Sequence, residues 1–308
     1  MVKMMSEAAL PGRIDAAAYL STWAKRVEGE LDRLVPESSE PPEIFEIMRY
    51  SLFAGGKRLR PVLCVAGCEA VGGNPEFILP AACALECIHS YSLIHDDLPA
   101  MDDDDLRRGV LTNHKVYGEA AAILAGDGLQ ALAFELMANE RMGAKVSPER
   151  HVKAIRMVAD AAGATGMVGG QLLDIRANGR VSDVTHLEEI HRRKTGALLR
   201  VSVCLGGLLG GGDEAQITAL HVYGEKIGLA FQIVDDILDV EGDEALMGKP
   251  IGSDEGLNKA TYPALYGMEK SKRLARSTCE EALQALEIFP KNAPELESLA
   301  HFIILRRF

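Results

Sequence analysis

The chain has 308 residues, 47% hydrophobic, 25% charged and 5% aromatic, with a formal charge of -12. That length can bury a large core in one domain or two, while the acidic balance argues against a broad nucleic-acid or anionic-membrane surface, since both select basic patches. No uninterrupted apolar run of about 18 residues occurs, so no membrane span is expected; Met1-Val2-Lys3-Met4-Met5 lacks the apolar segment of a signal peptide, and a cytoplasmic protein is the expectation.

From the N-terminus onward the periodicity is helical. Leu20, Trp23, Val27, Leu31 and Leu34 follow 3-4-4-3 spacing, one face of a helix. Pro41-Pro42-Glu43 opens a second helix, with Ile44, Ile47, Met48 and Leu52 on one face. Gly55-Gly56 breaks it. Pro61 starts a segment that is apolar nearly all round, the pattern of a buried helix. Further helices are expected over about 80–97, 116–139, 149–178, 185–208, 214–240, 261–287 and 294–306. Alternating strand patterns are scarce, and no Pro/Ser-rich linker divides the chain. The expectation is one all-α domain over 1–308, with residues 1–14 as a flexible start.

Six cysteines include two i,i+4 pairs, Cys64/Cys68 and Cys83/Cys87, besides Cys204 and Cys279. Four thiolates could hold zinc. Zinc cysteines, however, sit at turns with two-residue spacing, so small buried packing residues are the expectation. No disulfide framework is expected.

Two aspartate clusters follow apolar runs: Asp96-Asp97-Leu98-Pro99-Ala100-Met101-Asp102 and Asp235-Asp236-Ile237-Leu238-Asp239. Carboxylates at the ends of core-like helices need a strong partner. A hard divalent cation supplies one, because it takes oxygen ligands and cancels several charges. Gln232, Asp235, Asp236 and Asp239 are offset by 3, 4 and 7 and form one polar stripe on a helix; the plainer reading is a solvated acidic face. Pro99 ends the helix that carries the first cluster. The run Asp102 to Asp105 lacks the central Gly and final Glu of a calcium-binding EF-hand. Basic segments alternate with the acidic ones: Gly55-Gly56-Lys57-Arg58-Leu59-Arg60-Pro61, Arg107-Arg108-Gly109, Lys194-Thr195-Gly196, then Lys249 and Lys259. Glycines before a helix start let backbone amides reach a phosphate, although Gly55–Arg60 is not a Walker A loop and read alone is equally an ordinary basic turn. Acid, base, acid, base in this order points to a metal-bridged polyphosphate site.

With these motifs in order, the chain resembles the trans-isoprenyl diphosphate synthases, closest to the bacterial short-chain farnesyl diphosphate synthases. The resemblance covers about residues 44–308. It rests on Gly55–Pro61, Ser92–Gly109, Gly-Gly-Gln-Leu-Leu-Asp at 169–174, Lys194–Gly196, Phe231–Asp239 and Asn-Lys-Ala-Thr-Tyr-Pro at 258–263. It implies helices around a deep central cavity, a homodimer, and the substrates isopentenyl diphosphate and an allylic diphosphate. It also implies roles. Asp96 and Asp102 would ligate two magnesium ions and Asp235 a third, with Asp97, Asp236 and Asp239 in support. Arg107, Lys194, Lys249 and Lys259 would grip the allylic diphosphate. Lys57, Arg60, His89 and Arg108 would bind the diphosphate of isopentenyl diphosphate. Thr195 and Gln232 would stabilise the allylic cation, and Gln171 and Asp174 would line the cavity or orient Lys194. Taken alone, His89 reads as a satisfied core histidine; its place seven residues before Asp96 sets it on roughly the same face.

The resemblance also makes fifteen-carbon farnesyl diphosphate the expected product. Tyr91 and Ser92 stand five and four residues before Asp96, roughly 6–8 Å down the helix, where bulk would limit chain growth. Five residues also turn Tyr91 well away from the Asp96 direction, so packing outward stays open. The same chemistry could yield geranyl or geranylgeranyl diphosphate. Other isoprenoid synthases and an inactive helical partner subunit remain alternatives. The segment 55–60 speaks against a terpene cyclase, which needs no second diphosphate site, and both intact acid clusters speak against an inactive subunit.

Overall fold

The computed structural model describes residues 14–143, 145–177, 184–241, 261–289 and 293–305. They form an all-α assembly. In chain order the helices are α1 (Ala16–Leu34), α2 (Pro42–Leu52), α3 (Leu59–Ala70), α4 (Leu79–Asp96), α5 (Asn113–Tyr117), α6 (Glu119–Met137), α7 (Glu140–Gly143), α8 (Pro148–Ala162), α9 (Met167–Ala177), α10 (Val184–His191), α11 (Ala197–Leu209), α12 (Glu214–Glu241), α13 (Tyr262–Tyr266), α14 (Met268–Ala285) and α15 (Pro294–Leu305). Among the described residues the only sheet is a two-residue hairpin, β1 (Leu106–Arg107) with antiparallel β2 (Val110–Leu111). Its turn residues, Arg108 and Gly109, both have positive φ, as a tight two-residue hairpin demands.

Local signals explain the element ends. The Asp15 carboxylate caps α1 by accepting from the amides of Ala17 (2.9 Å) and Ala18 (3.2 Å). Leu20, Trp23, Val27 and Leu31 form its buried face, and Leu34 is half-buried at the core edge. The expected helix over 149–178 is in fact two: α8 stops at Gly163, whose ψ of -158° leaves helical space, and α9 begins at Met167. Gly118 and Gly267, both at positive φ, likewise start α6 and α14 later than the periodicity implies.

At the centre lie α3, α4 and α11. Among the main packing pairs are α4 on α6, α3 on α11, α11 on α12 and α12 on α14. Every residue of α11 except Arg200 is buried. Small residues permit this closeness: a Cβ on Gly206 would lie 1.7 Å from the carbonyl oxygen of Cys64. All six cysteines are buried free thiols, and burial raises the pKa of each. They pack as small apolar groups, and no cluster of metal-binding side chains forms among the described residues.

Two described stretches, Pro75–Asp96 and Glu119–Met137, are long and apolar enough to cross a membrane. The first is a core helix, 78% buried inside the protein. The second, α6, leaves an open apolar face that includes Ile123 and Leu124.

Candidate active site

Between α4, α9, the α10–α11 region and α12 opens a cavity of about 710 Å³. Its first acidic wall is the end of α4. Past Asp96 the chain folds back on itself, with the Asp102 amide donating to the Asp96 carbonyl at 2.9 Å and Asp103 at positive φ. Asp96 and Asp102 thereby both line the cavity. Burial, and the neighbouring charges of Asp102 and Asp97, push the Asp96 carboxyl up to about 6 against the pull of Lys194 and Arg107. Asp97 serves another purpose. It is buried and accepts from Arg107 Nε at 2.9 Å, and Arg107 also donates to Asp104 at 2.8 Å.

The second acidic wall is on α12, where Asp235, Asp236, Gln232 and Phe231 line the same cavity. Asp236 accepts the Tyr262 amide at 2.9 Å, which pins the start of α13 to α12. Asp239, expected beside Asp235, is buried and is not among the residues lining the cavity.

Cations line the same cavity. α10 runs into α11 through a π-helical turn, Arg192–Gly196. Such turns insert one residue into a helix and recur at functional sites. Here the turn carries Lys194 and Thr195 to the cavity. Lys194 donates to Asp174 of α9 at 2.6 Å, so Asp174 both lines the cavity and orients the lysine. Gly170 lets the turn approach, since a Cβ there would lie 2.2 Å from the Lys194 backbone nitrogen.

Arg60 and His89 line the cavity beside the first wall. Arg60 is pulled down to about 10, first by burial and then by Arg108, with Glu86 opposing, so it remains a cation at neutral pH. His89 is held well below its usual value by burial and by Arg60, Arg108, Arg58 and Arg107, so its imidazole is neutral. Lys57 and Arg108 stand outside the cavity lining. Lys57 Nζ lies 5.8 Å from the Phe302 ring centroid, and Arg108 donates to the Gly55 carbonyl. Lys249 and Lys259 fall outside the described residues.

Away from the charged groups the wall is apolar. Val168, Leu172 and Ile175 of α9 are 47%, 48% and 38% exposed, and all three face the cavity. Tyr91 and Ser92 line it too, and the Tyr91 ring meets His95 edge-on at 5.8 Å. Sequence reasoning passed over His191, which lines the cavity and whose pKa is lowered to about 4, chiefly by burial. Its position three residues before Lys194 was the available signal.

The donor set fits magnesium. Each acidic wall offers hard carboxylate oxygens, and among the described residues no three of them converge into a closed cage. Magnesium usually takes one or two carboxylates, keeps waters and completes its shell with substrate phosphate.

Fold and site together define a prenyl-transferring enzyme. Residues 41–295 match the polyprenyl synthetase family. The large subunit 1 of the heterodimeric geranylgeranyl pyrophosphate synthase of Arabidopsis thaliana chloroplasts is 49% identical over 302 residues, covering 96% of this chain and 81% of that protein. The farnesyl diphosphate synthase of Geobacillus stearothermophilus is 48% identical over 260 residues, covering 84% of this chain and 87% of that one. The crystal structure of geranylgeranyl pyrophosphate synthetase from Pyrococcus horikoshii superposes with a TM-score of 0.83 at 34% identity, covering 94% of this chain and 98% of that one. The chain therefore belongs to the polyprenyl synthetase family; it is a short-chain trans-prenyltransferase with the all-α isoprenoid synthase fold.

Proposed function

We propose that the protein joins isopentenyl diphosphate head to tail with dimethylallyl and then geranyl diphosphate, and stops at the fifteen-carbon farnesyl diphosphate. The observation that carries the chemistry is the lining of one cavity: carboxylates from α4, its following turn and α12, the cations Arg60, Arg107 and Lys194, and the apolar side chains of α9. Magnesium held by Asp96, Asp102 and Asp235, three ions in all, would neutralise the departing diphosphate. Asp239 belongs to this proposal as a supporting carboxylate.

The chain's own residues set the rest. Lys194 and Arg107 grip the allylic diphosphate as its C–O bond breaks and the electron pair leaves with it. Lys249 and Lys259 would join that grip. Thr195 and Gln232 present oxygen atoms to the allylic cation. Arg60 and His89, with Lys57 and Arg108 behind them, hold the second diphosphate so that its double bond attacks the cation. The carbon–carbon bond forms, and a proton then passes to the departed diphosphate. The apolar α9 wall keeps water from the cation.

The stop at fifteen carbons is supported by Tyr91, which lines the cavity while only 5% exposed, five residues before Asp96. The names of the similar proteins favour a second reading, since a geranylgeranyl synthase is among the relatives of comparable identity. Chromatography of dephosphorylated products decides. Farnesol from the parent enzyme, and longer alcohols from Tyr91→Ala, are expected. A twenty-carbon alcohol from the parent would establish the second reading.

The proposal includes a cytoplasmic homodimer with no nucleic-acid partner. The open face of α6 supports the pairing, with Ala120, Ile123, Leu124 and Ala131 exposed along one side.

A further inference from the structure

Close in sequence to the cavity-lining Arg60 and His89 lies an ion pair, Arg58–Glu86, that the proposed chemistry does not use. Arg58 caps the start of α3 in the left-handed region, at φ 52°. Non-glycine residues hold that conformation only where surrounding contacts impose it. Its side chain has no exposed surface. Nη1 donates to Glu86 of α4 at 2.7 Å and Nε to Glu28 of α1 at 3.1 Å. Glu86 is itself buried, its side chain 2% exposed. Three helices therefore meet at one guanidinium.

The neighbours give this pair its meaning. Arg60 follows Arg58 by two residues and reaches the cavity, with its Nε buried and unpartnered. His89 follows Glu86 by one helical turn and lines the same cavity. Arg108 crosses to the Gly55 carbonyl, tying the hairpin to the glycine loop. The negative charge of Glu86 acts on both Arg60 and Arg108. Three arginines thus crowd one region with a carboxylate among them.

Packing alone does not explain the arrangement. Apolar residues of similar volume commonly replace a buried ion pair without loss of stability. What Met and Leu cannot do is fix the loop's rotation by directional bonds, or hold like charges together before an anion arrives.

We propose that the Arg58–Glu86 pair is a positioning device for the second diphosphate: it locks the Gly55–Arg60 loop against α4, and Glu86 supplies the counter-charge that keeps Arg60 and Arg108 assembled while the site is empty. This inference rests on the reading of Arg60, His89 and Arg108 as the isopentenyl diphosphate site.

The test uses the full-length enzyme and two kinds of variant. Arg58→Met combined with Glu86→Leu replaces the pair by apolar volume. Arg58→Lys keeps the charge but cannot bridge Glu28 and Glu86 together, and serves if the double variant does not fold. Melting temperature, the two Michaelis constants and calorimetric binding of isopentenyl diphosphate alone are measured. The double variant is expected to melt within a few degrees of the parent, with binding of isopentenyl diphosphate weakened roughly tenfold to a hundredfold and the allylic Michaelis constant changed less than about twofold. The lysine variant should shift in the same direction by less. Unchanged isopentenyl diphosphate binding in a folded variant overturns the positioning role and leaves the function standing. Equal weakening for both substrates also overturns it. A parent enzyme that does not bind isopentenyl diphosphate overturns both.

Discussion

The Asp96 carboxyl holds its proton up to about pH 6 because it is buried and faces Asp102 and Asp97. An unfolded aspartate titrates near 3.9. With the folded value above the unfolded one, the favourable contribution is complete below about pH 4 and is lost as pH rises through about 6. At neutral pH an ionised Asp96 therefore works against the metal-free fold. Asp96→Asn should raise the melting temperature of the protein in chelator by a few degrees at pH 7.5, equivalent to roughly 1–3 kcal/mol, and by much less at pH 4.5. A gain of the same size at both pH values would show that the charge is not the cause. Function should move the opposite way. Asp96→Ala or Asp235→Ala should cut turnover on dimethylallyl and isopentenyl diphosphates by about three orders of magnitude or more, with the helical signal intact. Near-normal turnover in either variant would count against the three-metal arrangement. At this scale the sequence showed which carboxylates cluster, but not how each is spent. Asp97 is engaged by Arg107 and Asp236 by the Tyr262 amide, and such partners depend on loop closures that no periodicity encodes.

Lys194 and Thr195 reach the cavity because a π-helical turn interrupts an otherwise continuous helix from Val184 to Leu209. Gly170 leaves room for that turn. Gly170→Ala should displace it, lowering turnover roughly tenfold to a hundredfold for a stability loss of about 1–3 kcal/mol. Steady-state kinetics beside a urea melt checks this, and unchanged kinetics would mean that the turn accommodates the methyl group. Helix existence was legible at this scale: apolar spacing located α1, α4 and α12 within a few residues and gave α10, the π turn and α11 as one helix over 185–208. The breaks at Gly55-Gly56 and Pro99 were legible too, but those inside the longer expected helices were not. Gly163 ends α8 by leaving helical space, yet glycines within α11 are tolerated because α3 presses against Gly206 and α12 against Gly207. The same residue type stops one helix and packs another, and only the neighbour decides. The π turn escaped for a related reason, because one extra residue barely disturbs an apolar pattern.

At the scale of the whole molecule, α6 leaves part of its apolar surface uncovered by the described residues. Ile123 is 43% exposed and Leu124 60%. If a second copy covers this face, Leu124→Glu should convert a two-chain particle to a single chain in sedimentation at micromolar concentration. A variant that remains two-chain would place the contact elsewhere. The sequence alone placed a helix over about 116–139 without showing which side its own core would leave open. Charge is the other property of this scale. The chain carries a formal charge of -12, yet Arg60, Arg107 and Lys194 converge on one recess. Repulsion from the outer surface reaches about 8 Å in physiological salt. A long polyanion must lie across that acidic exterior to touch the recess, whereas a diphosphate enters whole. Such a charge layout would act as a sieve, favouring small anions over polymeric ones before any side chain makes contact.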